Sequence, residues 1–386
     1  MLLLLIVIYV VFISLGLPDS LFGVSWPVVH TEFGIAESFA SVYSIIISVC
    51  TGGVSFISGW LIRKFGTGKV TLFSIFLTAI GLVGISLAPN IVVMIICSVI
   101  LGYGAGAIDT GLNNFVSLHY KAQHMNWLHC FWGVGVTVSP MIMAQFLTGE
   151  EGSWRGGYRV VALMQLAIAL VVLCTLPKWK GLDGAESAES EEKSDKGFLD
   201  ILKIKGVMTG IASLGLYCSM EFLLGTWGAT FIVITLGLSP DTAAMWVSLY
   251  YGGIMLGRVI AGFVSMKYSD KSLIRAGIIV SFAGIIVLLL PIGTMSLMGL
   301  LLIGIGFGPV FPSTLHAIPE RFGKKYSADI TGYHMGGAYA IGFGLQLIYG
   351  FIASATTFKI TGFVLIALCL GLAFFSEKTI RILKSK

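Results

Sequence analysis

Charge is scarce in this chain. Only 11% of its 386 residues are Asp, Glu, Lys or Arg, against about 25% in soluble domains. A water-facing surface cannot be built from so little, so an ordinary soluble protein is excluded. Cysteine is sparse as well. The six residues Cys50, Cys97, Cys130, Cys174, Cys218 and Cys369 all fall in apolar segments, and no two stand at metal-ligand spacing. They read as small hydrophobes rather than a disulfide framework or a zinc site. There is no G-x-x-x-x-G-K-[ST] phosphate loop, so an ATP-driven pump is not expected. The glycine-rich stretches lie inside apolar runs and are not dinucleotide loops. No nucleophile–base set is visible, so the expectation is a non-enzyme with no cofactor and no metal. The first apolar run lacks a basic leader and continues into a polar stretch bearing Asp19 and Trp26. It reads as a retained helix, not a cleaved signal.

What the chain has in abundance is apolar length. Hydrophobic residues make up 56% of it, and its mean hydropathy is +0.93. Twelve runs are each long enough to cross a hydrocarbon core of roughly 30 Å. They fall at about 2–26, 38–62, 70–88, 91–115, 127–147, 159–177, 207–236, 242–266, 273–292, 295–318, 328–352 and 358–376. Short loops such as Ala88-Pro89-Asn90 make neighbouring spans antiparallel. The fold class is therefore an all-α membrane protein with twelve transmembrane helices in two six-helix bundles.

The few charges are unevenly placed. With the N-terminus inside, 20 of the 24 Lys and Arg residues fall on cytoplasmic segments. Arg155, Arg159 and Lys359 are outside, and Arg258 lies within a span. This asymmetry predicts both termini in the cytoplasm of an inner or plasma membrane protein. Composition turns polar and charged over 178–206, which reads as a flexible cytoplasmic linker. It separates an N-terminal bundle, 1–177, from a C-terminal bundle with a short tail, 207–386. The halves echo each other at offsets of about 200–205 residues. Gly52-Gly53 matches Gly252-Gly253, Gly102-x-Gly-x-Gly106 matches Gly304-x-Gly-x-Gly308, and His129 matches His334. Such parallel repeats suit transporters that rock about a site near the midplane.

Three acids stand where acids are costly. Asp19 is in span one, Asp109 in span four and Glu221 in span seven. Each costs roughly 2.5 kcal/mol or more near the bilayer centre, and such residues mark substrate or proton paths. Asp19 reads as a proton-coupling acid, or as a protonated structural group or a partner for Arg258. Asp109 reads as a substrate or proton ligand. Asn113 lies one turn further on the same face, and Asn114 follows it; bridging between helices is the other reading. Around Glu221, Tyr217 and Trp227 offer aromatic faces suited to the C–H faces of a sugar. Arg258 reads as the charge partner of an acid. His129 and His334 are candidates for a substrate or pH role, and Trp132 for the cavity. Trp26, Trp127 and Trp154 look like interface anchors.

The chain resembles the major facilitator superfamily. The twelve spans, the 6+6 split by a charged linker, and the turn Gly59-Trp-Leu-Ile-Arg-Lys-Phe-Gly66-Thr-Gly-Lys69 carry that resemblance. The turn departs from the family pattern at Arg63, where an Asp is usual. Three stretches are similar to the fucose permease-like sugar:proton symporters. They are Gly16-Leu-Pro-Asp19-Ser-Leu-Phe-Gly23-Val-Ser-Trp26-Pro27, Gly102-Tyr-Gly-Ala-Gly106-Ala-Ile-Asp109-Thr-Gly-Leu-Asn113-Asn114, and Asn126-Trp-Leu-His129-Cys-Phe-Trp-Gly133-Val-Gly135. The resemblance implies proton coupling at the span-one acid, sugar binding at the span-four acid, and a monomer taking up a small sugar with protons across a lipid bilayer. A drug:proton antiporter of the same fold and a non-transporting membrane sensor remain the alternatives. Nothing points to nucleic acid.

Overall fold

A computed structural model describes residues 1–36, 39–147, 153–190, 197–238, 240–290 and 293–384. Twelve of its helices are long and apolar enough to cross a membrane, and among the described residues there is no strand. The first six are α1 (Leu2–Glu32), α2 (Phe39–Phe65), α3 (Thr67–Leu87), α4 (Ile91–His119), α5 (Ala122–Leu147) and α6 (Trp154–Ser190). A short α7 (Phe198–Leu202) precedes α8 (Val207–Leu236), α9 (Pro240–Val264), α10 (Asp270–Leu288) and α11 (Gly293–His316). A short α12 (Ile318–Phe322) then leads to α13 (Ser327–Ala355) and α14 (Thr361–Lys384). The chain is thus a multi-pass helical membrane protein.

The helices pack into two compact units. One comprises Met1–Phe115 and Leu128–Asp195, the other Val116–Trp127 and Lys196–Lys386. The ends of α4 and α5 that face each other along the chain therefore belong to the second unit, a departure from a contiguous 1–177 block. The polar stretch after α6 also differs from the expected flexible linker. Helix α6 runs through Pro177 to Ser190, so the linker's first part is helical; residues 191–196 lie outside those described.

Two of the three expected interface tryptophans are instead buried, Trp26 and Trp154. The reason at Trp154 is polar: its indole N–H donates to Glu32 Oε2 at 2.6 Å. Arg155 pairs with Glu32 Oε1 at 2.6 Å and donates to the Ala88 carbonyl at 3.0 Å. Arg155, expected on an outer loop from charge alone, lies in the first turn of α6 and closes the ends of α1, α3 and α6.

Glycines set how closely the helices approach, and they do so in the same way in both units. On α4, Gly102 and Gly106 back onto α2 at Ile47–Cys50 and Thr51–Val54, while Gly104 between them backs onto α3 at Ser74–Thr78. On α11, Gly304 and Gly308 back onto α9 at Tyr250–Ile254 and Gly257–Arg258, while Gly306 backs onto α10 at Gly277–Ser281. The spacing explains itself. Residues four apart share a face, and the one between them points away. A Cβ at any of these sites would strike a neighbouring backbone or a side chain near its root. The repeated Gly-x-Gly-x-Gly string is therefore one docking device used twice.

Prolines do the complementary job in the first unit. Pro18 within α1 has no N–H, which leaves the Ser14 carbonyl four residues back without a helical donor. Gln165 Nε2 from α6 donates to it at 2.6 Å. Pro140 within α5 frees the Val136 carbonyl likewise, and Ser20 Oγ from α1 donates there at 2.8 Å. Freed carbonyls away from water must find such partners. Ser20 directly follows Asp19, so its bond to Val136 ties the α1 backbone to α5 beside that acid.

Close approach peaks where α1 crosses α5. A Cβ on Gly135 would meet the Ile13 carbonyl, and would lie 3.0 Å from Gly16 Cα. Gly135→Val should therefore overpack the crossing, at a cost of about 1–3 kcal/mol. The expected result is a lower thermal midpoint of the detergent-solubilised protein; an unchanged midpoint would mean that the crossing has slack.

Candidate functional site

In the first unit the two acids are tied to one face of α5. Asp19 on α1 accepts a hydrogen bond at Oδ2 from the Trp132 indole N–H at 2.8 Å. Asp109 on α4 accepts at Oδ1 from Asn113 Nδ2 at 2.8 Å. The same amide also donates to the Asp109 carbonyl at 2.9 Å. Asn113 Oδ1 then faces His129 Nε2 at 3.0 Å. His129 and Trp132 are three residues apart on α5, so they share a face. Helix α5 is the strut on which both acids converge. It is itself held to α1 by Tyr9 stacked on Phe131, with ring centroids 4.5 Å apart.

The chemistry of each link follows from its donors. An indole can only donate, so Asp19 Oδ2 is an acceptor whether or not the carboxyl carries a proton. A proton on Oδ1 leaves the Trp132 bond intact. As a residue, Asp19 is exposed. Asn113 is fully buried and both ends of its amide are committed. With Nδ2 given to Asp109, its oxygen must accept, so His129 carries its hydrogen on Nε2. Phe12 meets the His129 ring edge-on, with centroids 5.5 Å apart. Asp109 is half-buried and Asn114 is buried on the adjoining face. The arrangement offers one accessible acid able to hold a proton, and one partly covered acid pre-oriented by an amide–imidazole pair.

The second unit gathers a different set. Glu221 on α8 is half-buried. Tyr217, one turn before it, lies within its electrostatic range, as do Tyr250 and Tyr251 of α9. Arg258, buried on α9, acts on both Tyr217 and Tyr250. The rings form a cage: Tyr217 stands edge-on to Phe307 at 5.2 Å, and Tyr250 packs on Phe307 at 6.3 Å and Tyr251 at 5.1 Å. The Tyr250 hydroxyl is buried and makes no hydrogen bond among the described residues, which places a polar group beside an acid in the cage.

Two expected site residues are not drawn into this cage. Trp227 packs against Gly350 and Phe358, with ring centroids 5.7 Å apart. His334 is buried against Gly210 and gives Nδ1 to the Ile330 carbonyl of its own helix at 2.8 Å. Gly210 precedes Glu221 by eleven residues, about 16 Å along α8. Conversely, Tyr250 and Tyr251 escaped the sequence reading. Their signal was present: they stand eight and seven residues before Arg258, spacings that share a helix face. Ser20 and Gln165 were missed because their role depends on prolines in neighbouring helices.

Twelve apolar helices, close-packed through glycines and carrying hydrogen-bonded acids, define a helical bundle of the membrane-transporter type. The sequence model of the Major Facilitator Superfamily matches residues 8–347, and the chain belongs to that superfamily. It is similar to the glucose/mannose transporter GlcP of Bacillus subtilis, 23% identical over 92% of this chain and 88% of the relative. It is also similar to the cis,cis-muconate transport protein of Acinetobacter baylyi, 22% identical over 89% of this chain and 83% of the relative. Among solved structures, the transporter FucP in its outward conformation superposes with a TM-score of 0.81 at 13% identity, covering 97% of both chains. At that identity the likeness speaks for the fold.

Proposed function

We propose that the protein is a secondary active transporter that takes up a hexose or deoxyhexose with protons by alternating access. The observation that carries this reading is the pairing of two differently placed acids on one strut: Asp19, accessible and able to hold a proton on Oδ1, and Asp109, held for hydrogen bonding by Asn113 and His129. In this reading Asp19 is the coupling acid. Asp109, with Asn113 behind it, accepts from solute hydroxyls. Glu221 and the tyrosine cage supply acceptors and flat aromatic faces, a combination suited to a ring with apolar C–H faces and polar edges. The similarity to GlcP, a glucose/mannose transporter, supports the same substrate class. The charge asymmetry supports a cytoplasmic location for both termini. Two six-helix bundles joined by the 178–206 stretch are the proposed moving parts.

The test is direct. Purified protein is sealed into vesicles holding a pH-sensitive dye and challenged with a panel of hexoses and deoxyhexoses. Inward proton flux triggered by one sugar is the expected result. Silence across the sugars would overturn the substrate class. Flux triggered instead by cis,cis-muconate would move it to organic acids, and flux triggered by lipophilic cations to drug antiport.

A further inference from the structure

The second unit contains a histidine whose hydrogen bonds require a particular charge. His316 ends α11, is largely buried, and bridges two acceptors. Its Nδ1 is 2.6 Å from Asp270 Oδ2, at the start of α10. Its Nε2 is 3.1 Å from the Tyr120 carbonyl. A backbone carbonyl can only accept, and an ionised carboxylate can only accept. To satisfy both, both ring nitrogens must carry hydrogen, which is the imidazolium form. Tyr120 belongs to Val116–Trp127, the segment that packs with the second unit although it is covalently continuous with the rest of α4 and α5. The other end of the segment is anchored without charge. The Trp127 indole fills the space over Gly262 and stands edge-on to Phe263, with centroids 5.5 Å apart.

We propose that His316 is a pH-operated clasp that fastens the Tyr120 end of this segment to the second unit. When the imidazolium loses a proton, one N–H must serve two acceptors. Asp270 is the stronger acceptor, because hydrogen bonds to an ionised group are about twice as strong as neutral ones. The remaining hydrogen therefore stays on Nδ1, and the His316 bond to the Tyr120 carbonyl is lost. The surroundings sharpen this choice. Arg321, on the short α12, lies within electrostatic range of Asp270 and Glu320, and Glu320 also acts on His316. Burial lowers the Arg321 guanidinium from its ordinary value, and the two acids counter that shift. Asp270 thus keeps a cationic neighbour when His316 turns neutral. On the segment itself, His119, Tyr120, Lys121 and His124 are the titratable groups; His124 meets Tyr120 edge-on at 5.8 Å and feels Lys121. The clasp links pH to a segment continuous with the helices bearing Asp109 and His129, and it does so whatever the solute.

Hydrogen exchange on the full-length protein in lipid nanodiscs tests this, read on a peptide covering 116–127 at pH 5.5 and 8.5 and corrected for intrinsic exchange rates. Histidine titrates within that window. Protection in the native protein should fall about tenfold or more between the two pH values, as expected for loss of one charge-assisted bond. His316→Gln cannot donate from both ends of its side chain, and should show low protection at both. His124→Gln should retain the native step. Asp270→Asn removes the anion that favours the imidazolium, so its step should move to lower pH; this variant also decides the matter should His316→Gln unfold. Equal native protection at both pH values, or a step that survives in His316→Gln, would overturn the proposal.

Discussion

Asp19→Asn should abolish proton-driven accumulation while leaving solute exchange across the membrane intact. The substitution is unusually clean. The Trp132 indole needs only an oxygen to donate to, and the amide oxygen of Asn supplies one in place of Asp19 Oδ2. The Ser20 bond to Val136 next door does not involve the acid. What disappears is the capacity to gain and lose a proton. The variant should resemble the protonated state permanently. Each unit of pH gradient is worth about 1.4 kcal/mol per proton, so the native protein can concentrate its solute about tenfold per unit with one proton per solute. The variant should reach only equal concentrations on both sides. Counterflow, which needs no net proton movement, should stay within about threefold of native, since binding contacts are unaltered. The measurement is a pair of vesicle assays, accumulation under an imposed pH gradient and exchange without one. Gradient-driven accumulation that persists in Asp19→Asn would remove Asp19 from coupling. Loss of both activities would make it a structural acid.

The second large effect is expected at Asp109. Its carboxylate is aimed by Asn113, whose amide is in turn fixed by His129. Asp109→Asn replaces a charged acceptor by a neutral amide, and the amide must also turn its oxygen toward Asn113 to keep the internal bond. Hydrogen bonds to a charged group are worth about 1.5–3 kcal/mol, so the dissociation constant for the transported solute should rise about 10- to 100-fold, measured by calorimetry on the purified protein. Asn113→Ala should weaken binding through the same acid. Combined with Asp109→Asn, it should add little, because both changes disable one acceptor. An unchanged dissociation constant in Asp109→Asn would take this acid out of the solute site. Additive losses would mean that Asn113 contacts solute by itself.

Much of this molecule can be read without coordinates, for a reason that differs from element to element. The hydrocarbon core imposes a length and an apolar composition on every crossing segment, so twelve spans stand out. Helix α1 nonetheless runs on to Glu32, past the Trp26 expected to end it. Trp26 is packed inside the bundle rather than placed at an interface. A tryptophan near a span's end looks the same in sequence whether it faces headgroups or a neighbouring helix. The repeated glycine triplet was visible as a string; the structure shows that its outer and middle members serve different neighbours. His129 and His334 looked equivalent by offset. One joins the Asp109 network and the other packs against Gly210.

The sequence by itself determined the class of the protein, its helical spans, and which acids and histidines are out of place in a membrane. Those properties follow from the solvent, because a bilayer penalises charge and unpaired backbone locally, residue by residue. The tertiary structure alone decided the partners: Asp19 with Trp132, Asp109 through Asn113 to His129, Gln165 on the carbonyl freed by Pro18, and Tyr250 in the cage around Glu221. A hydrogen bond or a ring contact depends on the rotation of two helices about their own axes. That rotation is fixed by packing over the whole bundle, and no local stretch of sequence records it.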